Sequence, residues 1–581
     1  MKILTLHCDY IKFKPIKKAI SISQELSEEE RKGKQIKEAL VVLSAVERGD
    51  EKNPLKIIEA TVENIEDIAK QVKAKKIVIY PYAHLSPELA SPDTAIEILK
   101  GIQESLQKRN YSVDRAPFGY YKEFELKCKG HPLAELSRHI FLDEQKKGEF
   151  DGKEIKEKIV EEKYDYKQLL RQISKAKLDT RELKENDHRI LGQKLDLFSF
   201  NDVAPGMVFW HNKGLIIYNE LINFWREEHR KAGYIEIKTP QVMDSKLWKI
   251  SGHWDKYKEN NLITSYEGRP FLIKPMNCPG GMLVYKSSPK SYKDFPLRIG
   301  EIGTVHRCEL SGVLSGLFRL IQFTQDDAHI FCLDEKQVKS EIVGIIKMIE
   351  NFYKTFKIEF DHVELSTRPE KRIGSEEDWD KAEKILEEVL KENKIKYKLN
   401  KGEGAFYGPK IDFHIKDSLG RTWQCSTIQL DFLMPERFEL EYTDKNNKKK
   451  RPIMLHRVIY GSIERFIGIL LEHTNGNLPL WISPVQAKVL SLTDRNIITA
   501  EKIFEILKEA GIRVEKDFEA TTVNEKIRNA ELMKIPYIIL IGDKEEQNNT
   551  IAVRRKGQKP EFDVKIDKLI EELKLKIKNR D

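Results

Sequence analysis

The segment 319–331, Arg-Leu-Ile-Gln-Phe-Thr-Gln-Asp-Asp-Ala-His-Ile-Phe, constrains the fold more than any other stretch of the chain. Strand side chains alternate between faces, so an extended segment puts Arg319, Phe323, Gln325, Asp327 and His329 on one side. A cation, an aromatic ring, an amide, a carboxylate and an imidazole then share one face of a sheet. A strand that was merely wet would carry interchangeable polar residues. This mixture of roles predicts the floor of a site for a substrate carrying phosphate, a ring and an amine. The stretch 297–307 predicts the partner strand, with Gly312 and Gly316 in the loop between them. Arg307 and Arg319 are thereby expected to approach one anion from neighbouring strands. Arginine suits that task because its planar fork stays charged and grips phosphate or carboxylate through two bonds.

Around this segment, residues 191–479 are rich in tryptophan, glycine and proline, and the largest sheet is expected there. Residues 1–145 predict an α/β unit with strands at 2–6, 41–45, 77–80 and 124–126. The stretch 146–188 is dominated by charge, lacks proline and predicts a helical connector. After Pro484, apolar runs at 488–492, 512–514 and 537–541 alternate with helical text and predict a small α/β domain with a mainly parallel sheet. The expected division is 1–145, 146–188, 189–480 and 481–581. A length of 581 residues accommodates this number of domains. A hydrophobic share of 40% excludes a disordered chain. No run approaches the ~18 apolar residues of a membrane helix, and lysines interrupt the opening residues where a signal peptide would need an apolar stretch. Six scattered cysteines without a CxxC fit a reducing cytoplasm, the expected location. The net charge of +8 is compatible with nucleic-acid binding without establishing it.

Val305-His-Arg-Cys-Glu309 and Phe323-Thr-Gln-Asp-Asp-Ala-His329 resemble motif 2 of the class II aminoacyl-tRNA synthetases, and in particular that of the threonyl-tRNA synthetase family. Gly233-Tyr-Ile-Glu-Ile-Lys-Thr-Pro240 resembles motif 1, and Gly461-Ser-Ile-Glu-Arg465-Phe-Ile-Gly468 resembles motif 3. Lys274-Pro-Met-Asn-Cys-Pro-Gly280 and Gly402-Glu-Gly-Ala-Phe-Tyr-Gly-Pro-Lys410 extend the likeness. The resemblance implies a multidomain α+β and α/β chain: a deacylase-like editing domain, an antiparallel-sheet catalytic domain and an α/β anticodon-binding domain. It further implies a homodimer built on motif 1, with L-threonine, ATP and tRNA(Thr) as partners and no membrane. The alternative is a tRNA-binding paralogue that has lost catalysis and acts as a regulator, which would be expected to lack Arg307, Arg465 or a metal ligand; all are present.

Taken singly, Cys278, His329 and His456 read as core residues; the resemblance implies that together they hold one Zn2+. One thiolate and two imidazoles suit that ion and leave coordination open for substrate. The resemblance also implies that Asp327, Tyr407, Gln429 and Met276 seat the amino acid. Arg307, Arg465 and Gln325 would serve activation, with His253 assisting transfer to tRNA. Glu309, Arg319, Phe323, Gln424 and Thr427 would hold ATP, which brings Mg2+. A departure stands at Gly281, where bacterial relatives commonly carry histidine.

Toward the ends, Tyr80-Pro-Tyr-Ala-His84, Pro117-Phe-Gly-Tyr-Tyr-Lys122 and Gly130-His-Pro-Leu-Ala-Glu135 resemble the archaeal-type editing domain. They imply His84, Tyr121, Lys122 and Glu135 around a mischarged seryl ester. In the C-terminal domain the resemblance points to Asn524, Arg528, Glu545 and Arg554 as anticodon contacts.

Overall fold

The computed structural model describes residues 1–19, 26–86, 89–131, 133–140, 166–173, 183–256, 261–417 and 420–581. The chain divides into two compact units, 1–149 and 150–581. Of the predicted connector 146–188, the described residues contain the helix Tyr166–Ile173 and the stretch from 183 onward; the rest lies outside them.

In the first unit, strands in the order Ser112–Arg115, Lys76–Pro81, Lys34–Ala45, Lys2–Lys18 and Tyr120–Cys128 form a sheet. A sixth strand, Glu135–His139, pairs with the opening residues of Lys2–Lys18. The run 39–45 is buried throughout because both faces are covered. Leu40, Val42, Ile77 and Ile79 meet the helices Pro54–Gln71 and Pro92–Lys108, while Ala39, Val41, Val78 and Tyr80 form a second core with Phe13. The predicted strands are all present, and the first is far longer than 2–6. Its charged second half (Lys12, Lys14, Lys17) hides the pattern, since only alternate residues turn inward.

The second unit is built on an eight-stranded sheet. Its order is Lys398–Asn400, Phe360–Ser366, Lys410–Lys416, Thr422–Asp431, Ile453–Val458, Gln322–Cys332, Leu297–His306 and Ile235–Glu236. Pairing is antiparallel except at the two edges. One face packs Ile330, Cys332, Ile411, Phe413, Ile428 and Leu430 against the helices Glu335–Thr355 and Ile463–Thr474. The other face carries the polar residues. The strand predicted over 319–331 begins at Gln322; Arg319 lies before it, bridged to Ser315 in a turn, so it reaches the face from a loop.

The C-terminal sheet runs Val514–Asp517, Ala487–Ser491, Tyr537–Ile541, Ile551–Arg555, Glu561–Val564. Only its first three strands are parallel; the last two return as antiparallel neighbours, so the sheet is mixed where a mainly parallel one was expected. Arg513 reaches Glu220 of the helix Asn212–Lys231 at 3.1 Å, and Arg580 covers the Phe224 ring at 4.4 Å, which docks this domain on the part built around the eight-stranded sheet.

Glu572 closes this domain's outer helix onto its sheet. Burial alone would raise its carboxyl, but hydrogen bonds from Arg555, Lys576 and Tyr537 hold it down at about 2, against an ordinary value of 4.5. A carboxyl depressed on folding contributes stability above its unfolded value and loses it as pH falls through the folded one. Between pH 4.5 and 2 the C-terminal domain should therefore weaken. Glu572→Gln should flatten that branch in urea unfolding followed by circular dichroism; parallel pH slopes for the two proteins would refute the assignment.

Candidate active site and metal centre

Antiparallel register sets one row across the polar face. His329 stands opposite His456, and His456 opposite Gln429. The helix Cys278–Lys286 lies over this row, bringing in the thiol from its first residue. The ligand atoms of Cys278, His329 and His456 all fall within 4.8 Å of one another. All three side chains are buried. Gly281 lies in the same helix, where an added Cβ would stand 3.6 Å from His329 Nδ1, an ordinary contact.

The donor set fits a transition-metal ion. His329 Nε2 is buried without a hydrogen-bond partner, which is costly for an imidazole that nothing engages. Burial pushes the Cys278 thiol well above its ordinary range, and the charges of Asp327 and Asp431 add to this. Only a cation would make a thiolate comfortable there. Burial also lowers His329 to about 4, against the opposing pull of Asp327, so its ring is neutral and able to ligate. His456 Nε2 lies 2.8 Å from Asp431 Oδ2, a carboxylate that fixes the ring's orientation.

Along the same face, Asp327 is 3.2 Å from Asn277 Nδ2. Gly303, across from Gln325, makes room for that amide: a Cβ there would lie 2.1 Å from Asn277 Oδ1. Tyr407 sits 5.4 Å from the His456 ring, Gln429 Nε2 donates to the Gly408 carbonyl at 3.2 Å, and Met276 packs against the same apolar cluster. His253 is deeply buried against Phe406 and Tyr407. Burial, assisted by Arg307, His456 and Arg437, lowers it to about 3.

Beyond this row lies a cavity of about 360 Å3. Arg307, Glu309, Arg319, Phe323, Gln325, Gln424 and Arg465 line it. Arg307 covers the Phe323 ring at 5.2 Å, whereas Arg319 turns to Glu309 at 3.0 Å. Arg465 enters from the third position of the helix Ile463–Thr474 and donates to the Phe318 carbonyl at 3.0 Å. Burial lowers Arg465, and the positive charges of Arg307 and Arg319 oppose it further. Three guanidiniums thus face the cavity while Glu309 pairs with Arg319 alone, an excess of positive charge suited to a polyanion. Thr427 stands outside the cavity wall, bound with Gln424 to Asp412 Oδ1 at 2.8 and 2.6 Å.

In the first unit, Lys122 lies 5.0 Å from the Tyr80 ring and donates to the carbonyls of Pro117 and Tyr120. Burial pushes it down to about 8. Tyr80 leads through Tyr82 to His84 by ring contacts of 6.4 and 5.4 Å. The other two predicted residues stand elsewhere. Tyr121 turns to the opposite face beneath Lys17. Glu135 pairs opposite Leu6 while Lys122 pairs opposite Pro15, nine positions along the same strand.

In the C-terminal domain, Asn524 and Arg528 lie on the helix Val523–Leu532. Arg528 lines a cavity of about 620 Å3 together with Lys194 and His473 from the part built around the eight-stranded sheet. Glu545 accepts from Gly542 N–H at its own helix start, and Arg554 pairs with Glu531 at 2.8 Å.

Several supporting residues escape a reading by motif. Asp431 and Asp412 have no local spacing signal, because their partners lie on other strands. Asp326 points away from the site and accepts from the backbone N–H groups of Ile459, Tyr460 and Gly461. His188 is fully buried: Nδ1 meets Glu472 at 2.6 Å, and Leu317 N–H donates to Nε2 at 2.9 Å.

An antiparallel sheet with a converging set of arginines on its polar face is the catalytic architecture of a class II aminoacyl-tRNA synthetase, and residues 261–474 match the tRNA synthetase class II core domain (G, H, P, S and T). Residues 1–140 match the Archaea-specific editing domain of threonyl-tRNA synthetase and residues 481–576 the anticodon binding domain. The chain is 54% identical over 400 residues to the threonine--tRNA ligase of Carboxydothermus hydrogenoformans, covering 68% of this chain and 63% of that protein. It is 54% identical over 399 residues to that of Clostridium tetani, covering 69% and 62%. The chain thus spans less than two thirds of the length of these relatives. The solved RNA binding domain of threonyl-tRNA synthetase from Cryptosporidium parvum superimposes with a TM-score of 0.65 at 40% identity, over 67% of this chain and 98% of that one. The chain belongs to the threonyl-tRNA synthetase family.

His188 ties the turn before Arg319 to the end of the Arg465 helix. Gly316 permits this, since it has φ +49° and a Cβ there would come within 2.2 Å of His188 Nε2. His188→Ala should lower the urea stability of the catalytic unit by about 2–4 kcal/mol, from the buried groups left bare and the space left behind. A loss under about 0.5 kcal/mol, the range of an ordinary surface change, would show that the tie is dispensable.

Proposed function

We propose that the protein is a threonine–tRNA ligase: it activates L-threonine with ATP, transfers it to tRNA(Thr), and hydrolyses mischarged seryl-tRNA in its first unit. The observation that carries this reading is the buried Cys278, His329 and His456 set beside Asp327, on the same sheet face as the arginine cavity. A Zn2+ bound by these three residues would supply a Lewis-acidic seat for an amine and a hydroxyl together.

Such a seat answers a physical need. Valine is almost isosteric with threonine and an apolar pocket separates the two poorly. A site built around a hydroxyl rejects the analogue lacking it by roughly four to five orders of magnitude. Asp327, hydrogen-bonded by Asn277, would accept from that hydroxyl, while Tyr407, Gln429 and Met276 would wall the pocket. Arg307 would hold the α-phosphate and the attacking carboxylate together, and Arg465 the far end of the triphosphate. Phe323 and Arg319 would enclose adenine, with Glu309, Gln325, Gln424 and Thr427 completing the nucleotide contacts. Mg2+ arriving with ATP would neutralise remaining phosphate charge. Catalysis would rest on positioning and charge neutralisation. His253, buried and lowered to about 3, would assist that attack as a neutral hydrogen-bond partner of the tRNA hydroxyl.

Serine keeps both the amine and the hydroxyl and lacks only a methyl, a difference of about 1–3 kcal/mol. The first unit would provide the second check, with Lys122 and His84 flanking the ester. Tyr121 and Glu135 enter this proposal only through another arrangement of the strand, given their separate placement. Asn524, Arg528, Glu545 and Arg554 are proposed to read the anticodon, and the Ile235–Glu236 edge of the sheet to form a homodimer. Among the described residues no helix is long and apolar enough to cross a membrane; a cytoplasmic setting is part of the proposal.

Amino-acid-dependent pyrophosphate exchange with threonine, valine, serine and proline tests the reading. Threonine should support exchange, serine weakly, and valine and proline hardly at all. Cys278→Ser should abolish metal content and threonine-dependent exchange together; a metal-free variant that still activated threonine and rejected valine would end the proposal. For editing, Lys122→Met should leave threonine-dependent exchange intact while seryl-tRNA accumulates. Undiminished clearance of seryl-tRNA would remove Lys122 from that role.

A further inference from the structure

The first unit places two cysteines directly opposite each other. Cys8, on the strand Lys2–Lys18, is the register partner of Cys128, the last residue of the antiparallel strand Tyr120–Cys128. Lys129 N–H donates to the His7 carbonyl at 2.8 Å. A bond between the residues flanking a pair marks that pair as one without ladder bonds of its own, the close type, whose Cα atoms stand about 4.5 Å apart. Opposite residues also share a face of the sheet. Both side chains pack in the core formed by Ile11, Val41, Val78 and Tyr80. A disulfide needs Cα atoms about 4.4–6.8 Å apart and side chains aimed at each other, so this pair closes with little backbone movement. Among the described residues it is the one cysteine–cysteine pair in any strand register; Cys332, for instance, stands opposite Ile453.

The position gives such a bond something to hold. The strand Lys2–Lys18 changes neighbours here: residues 2–6 pair with Glu135–His139, and residues 8–18 with Tyr120–Cys128. The ladder is irregular just beyond Cys8, where the register shifts before Tyr10. Cys128 Sγ lies 3.5 Å from the His7 carbonyl and 3.7 Å from that of Ala134, which itself accepts from His7 N–H at 2.8 Å. Weak thiol contacts thus occupy the junction of three strands. Access is from one side, since Cys8 is fully buried and Cys128 is partly exposed. Burial pushes the Cys8 thiol up to about 12, with the Cys128 sulfur adding to it; burial and then Glu135 raise Cys128. The thiolate is the reactive form, so the pair resists brief exposure and answers to sustained oxidant.

We propose that Cys8 and Cys128 form a reversible cross-link of the first unit, closed by a hydroperoxide and opened by a small-molecule thiol. With hydrogen peroxide, Cys128 Sγ attacks one oxygen, the O–O bond breaks, and a sulfenic acid and water result. Cys8 Sγ then attacks Cys128 Sγ and displaces hydroxide, which takes the Cys8 proton and leaves as water. In sum the two thiols lose two hydrogens, and the peroxide becomes two molecules of water. Reduction runs by exchange: one small thiol attacks the disulfide, a second releases the pair, and the small molecule departs as its own disulfide. Closed, the bond puts nearly all of the first unit within one covalent loop, which restricts its unfolded chain. It also fixes the junction at which the long strand passes from one neighbour to the other.

The test treats the reduced full chain with hydrogen peroxide, blocks remaining thiols with iodoacetamide and maps the digest by mass spectrometry without a reductant. The expected product is a peptide joined through Cys8 and Cys128, two hydrogens lighter than its parts and separated again by dithiothreitol. Protease cleavage within residues 1–140 should begin at a higher temperature in the oxidised wild type than in the reduced one. That shift should be absent from Cys128→Ser and from Cys8→Ala, and dithiothreitol should reverse it in the wild type. Alkylated Cys8 and Cys128, at a dose that oxidises the exposed Cys308, would overturn the cross-link. So would pairing of either cysteine with the other four as often as with its opposite, and the wild-type map stands whether or not the variants fold. A joined peptide with no shift in the cleavage temperature would overturn the stabilising role. Neither readout involves an amino acid or tRNA, so the outcome is independent of the ligase reading.

Discussion

The buried carboxylate of Asp326 joins the two halves of the site. It accepts from the backbone N–H groups of Ile459, Tyr460 and Gly461 at 2.8, 3.1 and 2.9 Å, at the point where the strand Ile453–Val458 gives way to the Arg465 helix. Complete burial raises it to about 6, against the pull of Arg457 and those three amides. A group so strained by desolvation is tolerable only if every acceptor position is used. Glu464 repeats the device one turn on, receiving Thr324 N–H at 2.8 Å. The strand that carries Gln325, Asp327 and His329 is thus tied from its back to the helix that carries Arg465. The arginine-lined cavity and the row of Cys278, His329 and His456 are thereby joined through these two carboxylates.

This arrangement explains what the sequence made legible. Alternation on 319–331 is a local property, and it correctly placed Phe323, Gln325, Asp327 and His329 on one face. It overreached at Arg319, because the polar pattern continues through a turn where the backbone has left the ladder. The back face escaped notice because Asp326 reads as just another acid in Asp326-Asp327, although the two point opposite ways and do opposite work. The same limit hid Asp431 and Asp412, whose partners arrive from other strands. Register across a sheet is fixed by nonlocal packing and leaves no spacing in the chain. The grouping of Cys278, His329 and His456 was likewise visible only through resemblance. In the first unit, motif likeness grouped Glu135 with Lys122, which stand on two different strands and pair with Leu6 and Pro15 of the long strand Lys2–Lys18.

Glycine and arginine divide the labour at the site. Gly303 and Gly316 carry no side chain because Asn277 and His188 occupy the space that a Cβ would need. The backbone is thereby brought close enough for a side chain from another element to complete the wall. The arginines have the opposite character. Arg307 rests on Phe323 and Arg465 on a carbonyl, and only Arg319 has a carboxylate partner in the cavity. Such unneutralised charge is a standing cost to folding. It makes sense where an anion of high charge is the usual occupant, and where Arg319 can exchange Glu309 for it.

Three histidine groups among the described residues of the second unit bring their ligand atoms within 4.8 Å, so spacing alone does not tell a possible metal seat from a hydrogen-bonded strut. Ring orientation and the polarity of the neighbours do. His188 has an acceptor on one nitrogen and a backbone donor on the other, so a neutral ring is fully satisfied and an ion would displace a bond already made. His362 and His414 stack face to face, 9° from parallel, so one ion cannot lie in the plane of both rings. His329 and His456 stand at 83° to one another, and His329 Nε2 is buried without a hydrogen-bond partner. His456 faces the Asp431 carboxylate, which suits a ring whose remaining lone pair is drawn toward a cation. That orientation beside the Cys278 thiol, more than proximity, is the physical reason to look for an ion there.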